Sequence, residues 1–183
     1  MNSHGHNKTT AQGQTCQIQE ALSFLRKMPL FKDTPVDILR LFAYLSEKEY
    51  FSARSSIIIQ GQPCQKMYLI VSGTVAICDE YNGRMYNLQQ LPSDEINYFG
   101  ELAQLAQFDC FFSAWAETDT TLLSISREAF QKVMEKYPQA YGKAVEKIIK
   151  LHINRFVDQN RKLIEKTELE AMPDGSFLSQ DER

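Results

Sequence analysis

The chain is poor in the residues that carry most metal and acid–base chemistry. Its 183 residues hold three histidines, His4, His6 and His152. None falls in a stretch expected to form a strand, and a cupin-type oxygenase needs several imidazoles on neighbouring strands, so that class is excluded. No Ser-His-Asp arrangement and no pair of catalytic carboxylates stands out, and Glu101 has no evident acid or base partner. The sequence reads as a non-enzyme. His4 and His6 lie in a polar segment with no preformed geometry, so no metal site is expected there.

Three further absences narrow the field. Twenty Lys and Arg against 23 Asp and Glu leave a formal charge of −3, which gives no basic footprint for nucleic acid. No apolar run approaches the roughly 18 residues of a membrane span, and the N-terminus lacks the apolar core of a signal peptide, so a cytoplasmic location is expected. Cysteine is sparse: Cys16, Cys64, Cys78 and Cys110 form no Cys-x-x-Cys pair and have no nearby histidine, which rules out a zinc motif. Free thiols are expected. A redox-sensing Cys110 would need a lowered pKa and access to solvent.

What is present is an ordinary apolar share of 43%, enough for one well-buried domain with appendages. Residues 1–16 are polar and are expected to be a disordered tail, because they cannot bury enough surface to offset ordering entropy. Ile18, Leu22 and Leu25, with Ala21 beside them, form the stripe of an amphipathic helix that ends near Met28-Pro29. Thr34-Pro35 predicts a second, threonine-capped helix with Ile38, Leu39, Leu41, Phe42 and Leu45 on its apolar face.

From Tyr50 to Ile125 the pattern changes to short strands. Ser56–Ile59 ends at Gln60-Gly61, and Met67–Val71 is closed by Ser72-Gly73. Asn82-Gly83, between Val75–Tyr81 and Arg84–Leu91, is the chain's strongest hairpin signal, since both residues tolerate the positive φ of a type I′ turn. Phe111–Ala116 and Thr121–Ile125 complete the set, with Trp115 expected to pack in the core. Short strands joined by glycine turns, with no long helix between them, argue for a β-roll rather than a parallel α/β sheet. Ser126 then caps a helix over Arg127–Tyr137, and Pro138 starts another. The fold class is mainly β with flanking helices. The domain is expected over 17–137, a long helix over 138–167 and a flexible tail over 168–183.

Phe99-Gly100-Glu101, entering Leu102-Ala103-Gln104-Leu105, is a glycine turn into a short helix that aims several backbone N–H groups at one point, an arrangement that attracts an anion. With Gln60-Gly61 ahead of Met67–Val75, this order of landmarks resembles the cyclic nucleotide-binding domain family, a jelly-roll β-roll with N-terminal helices and a long C-terminal helix. The resemblance spans about Leu22 to Tyr137, with a following helix to about Lys166. It places Phe99, Gly100, Glu101, Leu102, Ala103, Cys110 and Phe111 at the ligand site. Counted without gaps from Phe99-Gly100-Glu101 to Ala116-Glu117-Thr118, Cys110 stands where the family has its phosphate-binding arginine, and Phe111 and Phe112 stand where a small residue follows. A thiol cannot supply the charge-assisted bonds of a guanidinium, and no arginine lies between Arg84 and Arg127. Support for an anion would have to come from Lys66, Arg84 or a second subunit. Ala53-Arg54-Ser55 replaces the family's Pro-Gly-Glu, and a glycine usual just before the cradle is missing from Ser93–Tyr98, which suggests that ligand-facing turns have drifted.

Ile149, Ile153, Phe156, Asn160 and Leu163 alternate spacings of four and three, the seam of a coiled coil, with Asn160 as the polar residue that fixes register. In the family the corresponding helix forms a parallel dimer interface. The resulting expectation is a regulatory or scaffolding module with no cofactor. It forms a homodimer, acts through contact with another protein, and has lost or weakened cyclic nucleotide binding. The alternative is a genuine sensor of a cyclic nucleotide or another small anion. After Lys166 the residues are too few and too acidic for a helix-turn-helix, so a DNA-binding activator is not expected.

Overall fold

The computed structural model describes residues 6–167. Two compact units divide the chain, Met1–Ile148 and Ile149–Arg183. Helix α1 spans His6–Leu25, so the helix begins inside the stretch expected to be a disordered tail; between His6 and the Ile18 stripe there is no proline and a single glycine, and nothing interrupts propagation. Its Ala21 and Leu25 are buried, with Met28 just beyond. Helix α2 spans Val36–Leu45 and buries Ile38, Leu39, Phe42 and Ala43. Thr34 does not cap it: Pro35 occupies the cap position without a side-chain bond, and the Thr34 N–H donates to Phe31 O at 3.0 Å in the tight turn before the helix. Phe42 packs between Phe31, tilted at 5.0 Å, and Phe130, stacked at 5.8 Å, which ties the helices together.

Among the described residues, eight strands make two antiparallel sheets. β1 (Glu47–Phe51), β8 (Thr120–Ser126), β3 (Lys66–Ser72) and β6 (Tyr98–Phe99) lie in that order in one. β2 (Ser56–Ile58), β7 (Ser113–Ala116), β4 (Thr74–Tyr81) and β5 (Arg84–Pro92) form the other. The β4–β5 hairpin turns at Asn82, φ 52°, and Gly83, φ 71°, with Tyr81 opposite Arg84, as the dipeptide requires. In the turn before β2, where the expected glycine is missing, Arg54 itself adopts φ 70°. The arginine accepts a left-handed conformation that costs a non-glycine residue roughly 1–2 kcal/mol.

The roll closes around Ile58, Cys64, Tyr68, Ile70, Val75, Leu91, Phe99, Ala103, Cys110, Ala114 and Leu122. Helix α3 spans Arg127–Lys136, and the Ser126 side chain accepts from the Ala129 N–H at 3.1 Å, the cap expected from sequence. Helix α4 runs from Pro138 to Thr167, with Ile148 fully buried. Along its later turns Ile149, Ile153, Phe156 and Leu163 are exposed in the single chain.

Candidate functional site

The glycine turn forms where the sequence places it. Gly100 takes φ 77°, and Glu101–Gln104 makes one 3-10 turn, with the Ala103 N–H donating to Gly100 O at 3.0 Å. The glycine is required by its neighbour as much as by any ligand: a Cβ here would stand 2.6 Å from Lys66 O on β3. Glu101 is 1% exposed, and Gln104 is buried with its Nε2 donating to Ile125 O at 3.1 Å. These contacts seat the turn against β3 and β8. Arg127, which the sequence reading did not single out, supports it from the other side, donating through Nε to Ala103 O at 2.7 Å. Its Nη2 is buried and has no hydrogen-bond partner among the described residues. The only signal for it in the sequence is an arginine directly after the Ser126 cap.

The segment that follows the cradle overturns the expectation of free thiols. Cys110 is joined to Cys64 in a disulfide, with Cα atoms 5.0 Å apart across a separation of 46 residues. Cys16 and Cys78 remain thiols, Cys16 exposed and Cys78 buried. Burial pushes the Cys78 thiol above its ordinary pKa, and the Glu117 charge adds to this. Backbone bonds run alongside the disulfide: Gly61 N to Cys110 O at 2.8 Å, Cys110 N to Gln62 O at 2.7 Å and Cys64 N to Phe108 O at 2.9 Å. Segment 61–64 is thus fastened to 108–110. The pairing could not be read from spacing, because the two cysteines meet only once the roll has closed.

The two phenylalanines separate in the bend before β7, which begins at Ser113 and not at Phe111 as expected. Phe112 turns inward and packs on the core of the roll, whereas Phe111 is 59% exposed. Phe111 stacks on Phe108 at 6.0 Å and meets Phe112 edge-on at 5.3 Å.

A cleft of about 270 Å³ opens beside the disulfide, lined by residues of 57–68 and by Cys110. Of the sequence-predicted ligand residues, Cys110 lines it and Phe99, Gly100, Glu101, Leu102, Ala103 and Phe111 do not. Phe99 and Ala103 instead share the apolar core with Cys110. Tyr68, on the cleft wall, stacks on Phe99 at 5.3 Å. Burial, together with the Glu49 charge, pushes its phenol up to about 12.

Neither intramolecular cation proposed for an anion is available for that task. Lys66 reaches the cleft, but its Nζ lies 2.9 Å from Glu49 and 3.2 Å from Glu47, and Ser124 also donates to Glu49. Burial works to lower the Lys66 pKa, and the hydrogen bonds and charges of Glu49 and Glu47 outweigh it, so the ammonium titrates above its ordinary value. One cation facing two carboxylates leaves that cluster negative. Arg84 sits at the start of β5 beside the hairpin turn and does not line the cleft.

Comparison with known proteins agrees with this architecture. The cyclic nucleotide-binding domain matches residues 48–137. Those residues belong to the cyclic nucleotide-binding domain family. The chain is 27% identical over 154 residues to potassium/sodium hyperpolarization-activated cyclic nucleotide-gated channel 2 of Mus musculus, a match that covers 84% of this chain and 17% of the channel. Among solved structures, a cyclic nucleotide-binding domain from Methylobacillus flagellatus superposes with a TM-score of 0.70 at 19% identity, covering 87% of this chain and 89% of that one. The regulatory subunit of a cAMP-independent protein kinase A from Trypanosoma brucei superposes with a TM-score of 0.63 at 16% identity, covering 86% and 53%. At those identities the two structures establish the shared fold. Cys64, Cys110 and Phe112 all lie within the residues that the family matches.

Proposed function

We propose that this domain is a non-enzymatic regulatory or scaffolding module that no longer holds a cyclic nucleotide and acts through protein contacts. The observation that carries this reading is the Cys64–Cys110 disulfide at the position counted for the phosphate-binding guanidinium, with Phe112 turned into the core beside it. A cyclic phosphate taken from water needs its lost solvation returned, and a disulfide among apolar side chains returns none. The T. brucei regulatory subunit is described as part of a cAMP-independent kinase, so use of this fold without cyclic AMP is consistent with the proposal.

The surface for such contacts is the exposed seam of α4, where we place a homodimer interface made by Ile149, Ile153, Phe156 and Leu163, with Asn160 in register between them. A cytoplasmic location fits the lack of any helix, among the described residues, long and apolar enough to cross a membrane.

A second reading, a working sensor of a cyclic nucleotide or another small anion, is favoured by the intact Gly100 turn. Under it, Glu101→Ala weakens ligand binding. Thermal-shift titration with cyclic AMP, cyclic GMP and cyclic di-GMP separates the two: unchanged melting supports the scaffold, and saturable stabilisation abolished by the Glu101 variant supports the sensor.

A further inference from the structure

We propose that Cys64 and Cys110 form a thiol–disulfide exchange site, reached through the cleft by small thiols, that fastens or frees segment 108–112. The proposal stands on geometry that does not depend on whether any nucleotide binds. Cys64 and Cys110 are only 5% and 2% exposed, yet both lie in the wall of the cleft. An attacking sulfur therefore has a path that the rest of the core denies it. The backbone bonds at Gly61, Cys64 and Cys110 tie the same two segments beside the disulfide. Two thiols left there remain neighbours, which favours reclosure over exchange with a distant cysteine. Cys78 is a poor competitor, because its burial disfavours the thiolate that exchange requires.

The reaction balances without a cofactor. The thiolate of a small monothiol attacks one sulfur, here taken as Cys64 Sγ. A new sulfur–sulfur bond forms, the Cys64–Cys110 bond breaks, and Cys110 leaves as a thiolate that takes a proton from water. A second thiolate attacks the small-molecule sulfur of the mixed disulfide and releases Cys64. The protein disulfide gains two electrons and two protons, and two small thiols are oxidised to their own disulfide. In the reduced state, residues 108–112 are held by backbone bonds alone, so the exposed Phe111 and its partner Phe108 lose their covalent anchor. The switch thus acts on an aromatic surface rather than on a catalytic group.

The test uses the full chain equilibrated in mixtures of reduced and oxidised glutathione, quenched in acid, alkylated and read by peptide mass. The expected result is that Cys64 and Cys110 gain or lose their labels together, reversibly, while circular dichroism stays that of the folded protein. Hydrogen exchange should rise locally at 60–65 and 108–113 in the reduced form. Cys110→Ser should also accumulate glutathione on Cys64 as a mixed disulfide. If this variant does not fold, the wild-type titration decides alone. Two results would overturn the proposal: a pair that resists excess reduced glutathione until denaturant is added, which marks a fixed staple, or a pair that stays as thiols in excess oxidised glutathione.

Discussion

Position 110 concerns charge and position 100 concerns space, and the two are easily confused in a sequence motif. A guanidinium repays the solvation that a phosphate leaves behind; the Cys64–Cys110 sulfurs do not. Gly100, by contrast, survives for a reason indifferent to ligand, since its left-handed φ and its closeness to Lys66 O admit no side chain. Gly100→Ala is expected to destabilise the fold by about 2–4 kcal/mol, the sum of strain at positive φ and a clash with backbone. Urea unfolding measures it; an unchanged midpoint would show that the turn is not seated as described. The retained Phe-Gly-Glu turn is therefore weak support for binding, because packing alone accounts for it.

At the scale of elements, β3 joins the core to the cleft. Tyr68 faces Phe99 and the interior, and Lys66 faces the carboxylates of β1. Both groups hold their protons more tightly in the folded chain than in the unfolded one, so the stability they contribute is complete below their unfolded pKa values and is lost as pH rises. For Tyr68 the window runs from its ordinary value near 10 up to about 12. Tyr68→Phe is expected to make the melting temperature fall less steeply over that window than in the wild type, whatever its effect at neutral pH. Parallel slopes would show that the phenol is not shielded from solvent.

The elements also show what can be read from residues in order. Asn82-Gly83 fixed a hairpin because its constraint is local steric geometry, and Ser126 marked a helix start because its cap is a local hydrogen bond. Thr34 carried an equally good cap signal, yet the preceding tight turn claimed its N–H and the helix began after Pro35. β1, Glu47–Phe51, was largely missed because its polar residues give no apolar alternation; it is a strand by virtue of pairing with β8. The fold was legible through its turns. The site was less so, since the Cys64–Cys110 bond, the Arg127 support and the inward turn of Phe112 all depend on segments that become neighbours only in three dimensions.

At the scale of the whole molecule, the account assigns regulation to surfaces. The α4 seam presents Ile153, 55% exposed, and Phe156, 63% exposed, on a single chain. Under the proposed dimer, Ile153→Asp with Phe156→Asp converts the protein to a monomer in sedimentation equilibrium, with the β-roll's circular dichroism unchanged. A wild-type monomer at the same concentration would remove the interface from the account.

The most direct measurement is isothermal titration calorimetry of cyclic AMP into the full chain, run on the oxidised protein and again after thiol reduction. The account predicts no saturable heat in the oxidised form, because a disulfide stands where the phosphate-binding guanidinium is counted, and none after reduction, because two thiols add no charge. Saturable binding at low micromolar concentration in the oxidised form would contradict it.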